Sequence, residues 1–89
     1  MELGKEDSTM KIYVGNFPST TTEKEIQRTF ESFGHVKSTA IVKDRFSGRS
    51  RGFGFVEMPS ETEACSAIEG LNGRWLHGRT LLVNYALQW

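Results

Sequence analysis

Through "KIYVGNF" (Lys11–Phe17) apolar side chains alternate with polar ones, the period of a strand with one covered face. Gly15-Asn16 and Pro18 stop that strand. In "STTTEKEIQRTFESFG" the period lengthens to that of a helix, with Ile26, Phe30 and Phe33 on one side. Thr22 is placed to N-cap this helix, Glu25 to complete a capping box three residues on, and Gly34 to supply a left-handed stop. "VKSTAIVKD" predicts a second strand and "RFSGRS" a basic connection. "RGFGFVEM" (Arg51–Met58) predicts a third strand, closed by Pro59.

The same grammar then repeats. Ser60 and Glu63 have the spacing of a second capping box, and Ala64, Ala67, Ile68 and Leu71 form a narrow apolar stripe. Asn72-Gly73 marks a tight turn, "RWLHG" a short hairpin arm, and "RTLLVNYA" a fourth strand. Strand–helix–strand followed by strand–helix–strand predicts an α+β domain: one four-stranded antiparallel sheet with both helices on a single face. Residues 1–10 are expected to form a flexible arm, 11–86 the domain, and 87–89 its C-terminal end.

The third strand combines bulk and emptiness. Alternation puts Arg51, Phe53, Phe55 and Glu57 on one side, and Gly52, Gly54, Val56 and Met58 on the other. Helices require Val56 and Met58 inward, and the glycines are expected to let a helix approach closely. Phe53 and Phe55 therefore point to the side that no helix covers. On the first strand, Ile12 and Val14 suit the core, so Lys11 and Tyr13 face outward as well. Exposed aromatic rings flanked by cations suit unpaired nucleic-acid bases and their phosphates.

Composition narrows the classes. The 89 residues fit one small domain, and 37% hydrophobic with 25% charged residues is an ordinary globular mixture. Lys+Arg and Asp+Glu number 11 each, so the formal net charge is zero. The charges are nevertheless segregated. Lys37, Lys43, Arg45, Arg49 and Arg51 meet only Asp44 between residues 35 and 55, whereas Glu61, Glu63 and Glu69 cluster without a base. A local basic zone attracts phosphate even when the total cancels. A single cysteine, Cys65, excludes an internal disulfide framework and any multi-cysteine metal site. The N-terminal residues carry no apolar secretory run, and no segment reaches membrane-spanning length, so an intracellular protein without membrane attachment is expected.

"RGFGFVEM" resembles the eight-residue signature of the RNA-recognition motif family, and "IYVGNF" its six-residue partner on the first strand. "DRFSGRSRGFGFVEM" and "LNGRWLHGRTLLV" resemble further stretches, so the likeness runs from about Met10 to Ala86. It implies a ferredoxin-like βαββαβ sandwich that binds single-stranded RNA without catalysis and without a cofactor or metal. It implies that Tyr13 and Phe53 each stack on a base, that Phe55 inserts between sugars, and that Arg51 pairs with a phosphate. Lys11 and Asn84 would offer hydrogen bonds at the edges of the face. Met58 stands where the family more often has an aromatic, at a position that points to the core.

Several readings stay open. Lys43, Arg45 and Arg49 either contact phosphate or only steer the strand inward. Single-stranded DNA is an alternative ligand, and a protein-binding domain of the same fold is the alternative function; a monomer is expected. Trp75 is expected to be a partly exposed packing residue and Cys65 a small buried one. His35 and His77 have no neighbours at metal-ligand spacing. The glutamates of the second helix, Glu61, Glu63 and Glu69, are expected to be a solvated face, and Gln88 and Trp89 a frayed end or an extra stacking surface.

Overall fold

The computed structural model describes residues 9–86. Six strands and two helices follow one another: β1 (Met10–Gly15), α1 (Glu23–Glu31), β2 (Ser38–Lys43), β3 (Ser50–Met58), α2 (Glu61–Leu71), β4 (Trp75–Leu76), β5 (Arg79–Thr80) and β6 (Leu82–Tyr85). The main sheet has the order β2-β3-β1-β6, with every neighbouring pair antiparallel. β4 and β5 form a separate two-stranded arm. Of the expected arm, residues 1–8 lie outside the described residues, but Met10 already belongs to β1, opposite Met58. Residues 87–89, with Gln88 and Trp89, also lie outside them.

Both helices pack on the same face of the sheet. Ile12 and Val14 of β1, Ile41 of β2, Val56 and Met58 of β3 and Val83 of β6 meet Ile26 and Phe30 of α1 and Ala64, Ala67 and Leu71 of α2. Phe17, just beyond β1, is buried in the same cluster, and Phe33 and Ile68 pack at its margin. Two alanines in the α2 stripe keep that helix low over the sheet, while Phe30 supplies the bulk under α1.

α1 begins with the full capping box: Thr22 Oγ1 accepts from the Glu25 amide at 3.2 Å, and the Glu25 carboxylate accepts from the Thr22 amide at 3.0 Å. Its end differs from expectation. The helix stops at Glu31 with Ser32 as C-cap, and the amides of Phe33 and Gly34 tighten onto the Phe30 and Glu31 carbonyls. Gly34, with φ of 158°, is nearly extended, so no left-handed stop forms. The second capping box is half formed. Ser60 Oγ accepts from the Glu63 amide, but the Glu63 carboxylate turns away to accept the His35 amide at 2.9 Å. That carboxylate is therefore a link between the two halves of the fold rather than part of a solvated face. Cys65 is half-buried, with Sγ 3.6 Å from Glu69 Oε2 and next to Tyr85 at the edge of the sheet, because the apolar stripe runs through Ala64 and Ala67 instead.

The "RTLLVNYA" segment is two elements, not one strand. Leu81 is buried, its amide donates to the Arg74 carbonyl and its carbonyl accepts from Gly73, so it pairs with the turn after α2 and leaves the ladder to begin at Leu82. The arm closes through His77 and Gly78, with φ of 50° and 83°, the two positive values that a type I′ turn demands. On the outer edge of β6, Asn72 Oδ1 accepts the Val83 amide at 2.9 Å.

The glycines of β3 have a different task from the one expected. A methyl group at Gly54 would run into the β2 backbone at Ala40 and Ile41, where the β2–β3 register shifts. At Gly52, with φ of 84°, it would stand 3.0 Å from the Phe17 carbonyl. The nearest neighbours are not helical: they are strand β2 and the loop after β1.

The Glu25 carboxyl is held below its usual range by the Thr22 amide first and then by His77, whose Nε2 lies 3.0 Å away. A depressed carboxyl stabilises the fold above its unfolded-state pKa and ceases to do so as pH falls through its folded-state value. Glu25→Gln is therefore expected to flatten the loss of stability between neutral pH and about pH 3, measured by urea unfolding across that interval. Gly54→Ala is expected to destabilise by about 1–3 kcal/mol through overpacking, measured the same way at pH 7.

Candidate nucleic-acid interface

On the uncovered face, the register of β1 and β3 sets Tyr13 opposite Phe55 and Gly15 opposite Phe53. Three half-buried rings converge there. Tyr13 and Phe53 have centroids 5.9 Å apart and a tilt of 32°, Tyr13 and Phe55 lie 6.1 Å apart edge-on, and Phe53 and Phe55 6.3 Å apart at 89°. Such edge-to-face packing fixes the rings without hiding them from solvent. Gly15 supports the arrangement, since a methyl group there would strike the Tyr13 ring. The ring therefore lies back along its own strand.

The polar groups around the rings are unevenly distributed. Lys11 stands not at the margin but over Phe55, its Nζ 4.9 Å from the ring centroid. Opposite it in the ladder is Glu57, whose carboxylate accepts from Ser38 Oγ at 2.9 Å. At the far end of β3, Arg51 is exposed. Asn84 lies opposite Tyr13 on β6 and is exposed, its Oδ1 taken by the Tyr85 amide. One end of the face thus carries a lysine and a glutamate across the ladder from each other, the other an arginine with Asp44 nearby.

Lys43 and Arg49 are not brought to the rings. They line a separate cleft with residues 19–23 at the start of α1, together with Ile41, Gly48 and Ser50. The loop between them is tightly held. Asp44 accepts from the Phe46 and Ser47 amides at 2.8 and 3.0 Å, and the Ser47 and Phe46 bonds, with a smaller effect from Arg51, keep its carboxyl below the usual range. That turn presents Phe46 at 91% exposure, a residue for which the sequence pattern gave no warning. Trp75 on the arm is 69% exposed, more than a packing role requires.

A second cleft, of about 450 Å³, opens beside Phe53. Asn16, Pro18 and Ser19 line it from the loop after β1, Arg51 and Phe53 from β3, Arg79 from the arm and Leu82 from β6. Asn16, Arg79 and Leu82 lie inside stretches that the sequence marks, but nothing local joins them into a site, because 63 residues separate the first two. The only local signal was an asparagine following a glycine, the residue type that best tolerates a left-handed backbone. Asn16 has φ of 67°.

Residues 12–82 match the RNA recognition motif family. The chain belongs to that family. Over 78 residues it is 50% identical to the chloroplastic 28 kDa ribonucleoprotein of Nicotiana sylvestris, covering 88% of this chain and 28% of that protein. The chain thus spans little more than a quarter of that relative's length. The crystal structure of the RNA-binding protein PG1 superimposes with a TM-score of 0.87 at 44% identity, covering 90% of this chain and 96% of that one. The Rna15 RNA recognition motif, solved with bound RNA (GU), superimposes with a TM-score of 0.79 at 31% identity, covering 88% and 83% of the two chains. Among the described residues of this RNA recognition motif, no group of three or more His, Cys, Asp or Glu side chains is arranged to hold a metal ion, and no helix is long and apolar enough to cross a membrane.

Gly15→Ala is expected to lift the Tyr13 ring from its seat and remove its contact with Phe53, at about 0.5–1.5 kcal/mol. Loss of the Tyr13–Phe53 ring cross-peaks in NMR, with the rest of the sheet unchanged, is the expected result.

Proposed function

We propose that this domain binds single-stranded RNA on the open face of its sheet, without catalysis. The observation that carries this reading is the cluster of Tyr13, Phe53 and Phe55, three rings within 6.3 Å of one another on the face that no helix covers. Exposed aromatic area of this kind is unfavourable in water unless a flat apolar surface lands on it, and a nucleobase offers such a surface. Tyr13 and Phe53 each stack on one base, and Phe55, edge-on to both, fits between the two sugars. Arg51 meets a phosphate, Lys11 donates from its place over Phe55, and Asn84 donates at the rim. Lys43 and Arg49, in their own cleft beside the loop, attract the strand as it leaves the face.

The family and the solved relative with bound RNA support the choice of ligand. Stacking itself barely separates RNA from single-stranded DNA, so discrimination between them falls to the polar rim. Each stacked base contributes about 1–3 kcal/mol. Two stacks with a few phosphate contacts correspond to a dissociation constant of roughly 1 μM, or about −8 kcal/mol.

Phe53→Ala is expected to weaken binding of a ten-nucleotide random RNA pool by about 1–3 kcal/mol while the thermal transition stays cooperative. NMR mapping with the same pool, and with its DNA counterpart, should place the shifts on Tyr13, Phe53 and Phe55. Binding of Phe53→Ala at the parent's affinity, or shifts confined to α2, would remove the stacking reading in favour of a protein partner.

A further inference from the structure

The cleft beside Phe53 is built, not incidental. Asn16 Nδ2 donates to the Thr80 carbonyl at 2.8 Å, and Arg79 Nη1 donates to Asn16 Oδ1 at 3.2 Å. One side chain thereby clasps the arm at two successive residues and holds a guanidinium in place. The loop that carries Asn16 is itself tied to β3, since the Phe17 amide donates to the Gly52 carbonyl at 3.2 Å. An arginine fork that is already fixed loses little freedom when it meets an anion.

The charge distribution gives this cleft its ligand. Arg51 and Arg79 both line it, and among the described residues its lining includes no acidic side chain. Lys11, at the other end of β3, is opposed by Glu57. Two arginines therefore converge at the cleft end of the face, with Asp44 outside the lining but near enough to Arg51 to feel its charge, and the open cleft has the volume of a small-ligand site.

We infer that this cleft takes one further nucleotide of the bound strand, its phosphate held by Arg79 and Arg51 and its sugar or base against Leu82, which is 53% exposed. Arg79 is a binding residue in this arrangement, and Asn16 is the positioning residue that fixes it. The inference rests on the RNA-binding reading above and extends it past the two stacked bases.

The test uses the full chain and the ten-nucleotide random RNA pool, titrated at several salt concentrations. Arg79→Ala is expected to weaken binding about five- to twentyfold at low salt, as loss of a charge-assisted contact does. It should also reduce the slope of log K against log salt by about 0.7, one phosphate contact fewer on a single strand. Arg79→Gln, which keeps the aliphatic stem to Cδ and an uncharged amide donor, should show the same drop in slope even if the alanine variant disturbs the arm. Asn16→Gly keeps the left-handed backbone and removes only the clasp; it should reproduce the loss, and adding Arg79→Ala to it should cost almost nothing more.

Phe53→Ala serves as the reference. If it is weakened while Arg79→Ala and Arg79→Gln keep the parent's affinity and slope, the cleft does not take a nucleotide, and the stacking reading stands. If Arg79→Ala is weakened but Asn16→Gly binds like the parent, the clasp does no positioning. If the parent itself fails to bind the pool, the RNA reading fails before the cleft is reached.

Discussion

A four-stranded sheet with two helices can cover only one of its faces, and every other feature of this chain is arranged around that shortage. The helices bury Ile12, Val14, Val56 and Met58. The alternation of a strand then sends the intervening residues of β1 and β3 to the opposite side. Elsewhere such positions are polar. Here three of them are aromatic, and they pack against one another edge-on rather than against a second layer. The interaction that builds the core is thus the same one that leaves an aromatic surface open on the other side.

The sequence disclosed most of what depends on local spacing. Capping residues, the helical stripes and the alternation in "RGFGFVEM" follow from neighbours within a few positions. Errors arose where a residue's partner lies far along the chain. Glu63 had the spacing of a capping box but finds a better use at the His35 amide, which only the packing of α2 beside the end of α1 brings near. Leu81 looked like the middle of a strand, yet its backbone pairs with Gly73 and Arg74. Gly52 and Gly54 were rightly singled out as close-approach positions, but the approaching groups are the loop after β1 and strand β2.

The same distinction applies to the candidate site. Tyr13, Phe53, Phe55 and Asn84 assemble on the expected face because strand register transmits a local pattern across the sheet. Lys43 and Arg49 share the basic zone in sequence but lie in another cleft, since the chain turns at Asp44 and carries them toward α1. Arg79 was invisible for the complementary reason. The stretch around it marks an arm and a strand but not a ligand contact, and its setting comes from Asn16 reaching across the open end of the sheet.

Tyr13 and Phe53 stand 40 positions apart in the chain and meet only because β1 and β3 are adjacent in the finished sheet. No fragment of the polypeptide, and no denatured form of it, can offer the pair. A strand that engages both rings therefore has affinity for one macrostate alone, and mass action draws the conformational equilibrium toward it. For so small a domain, anything that occupies this face adds to its thermodynamic survival.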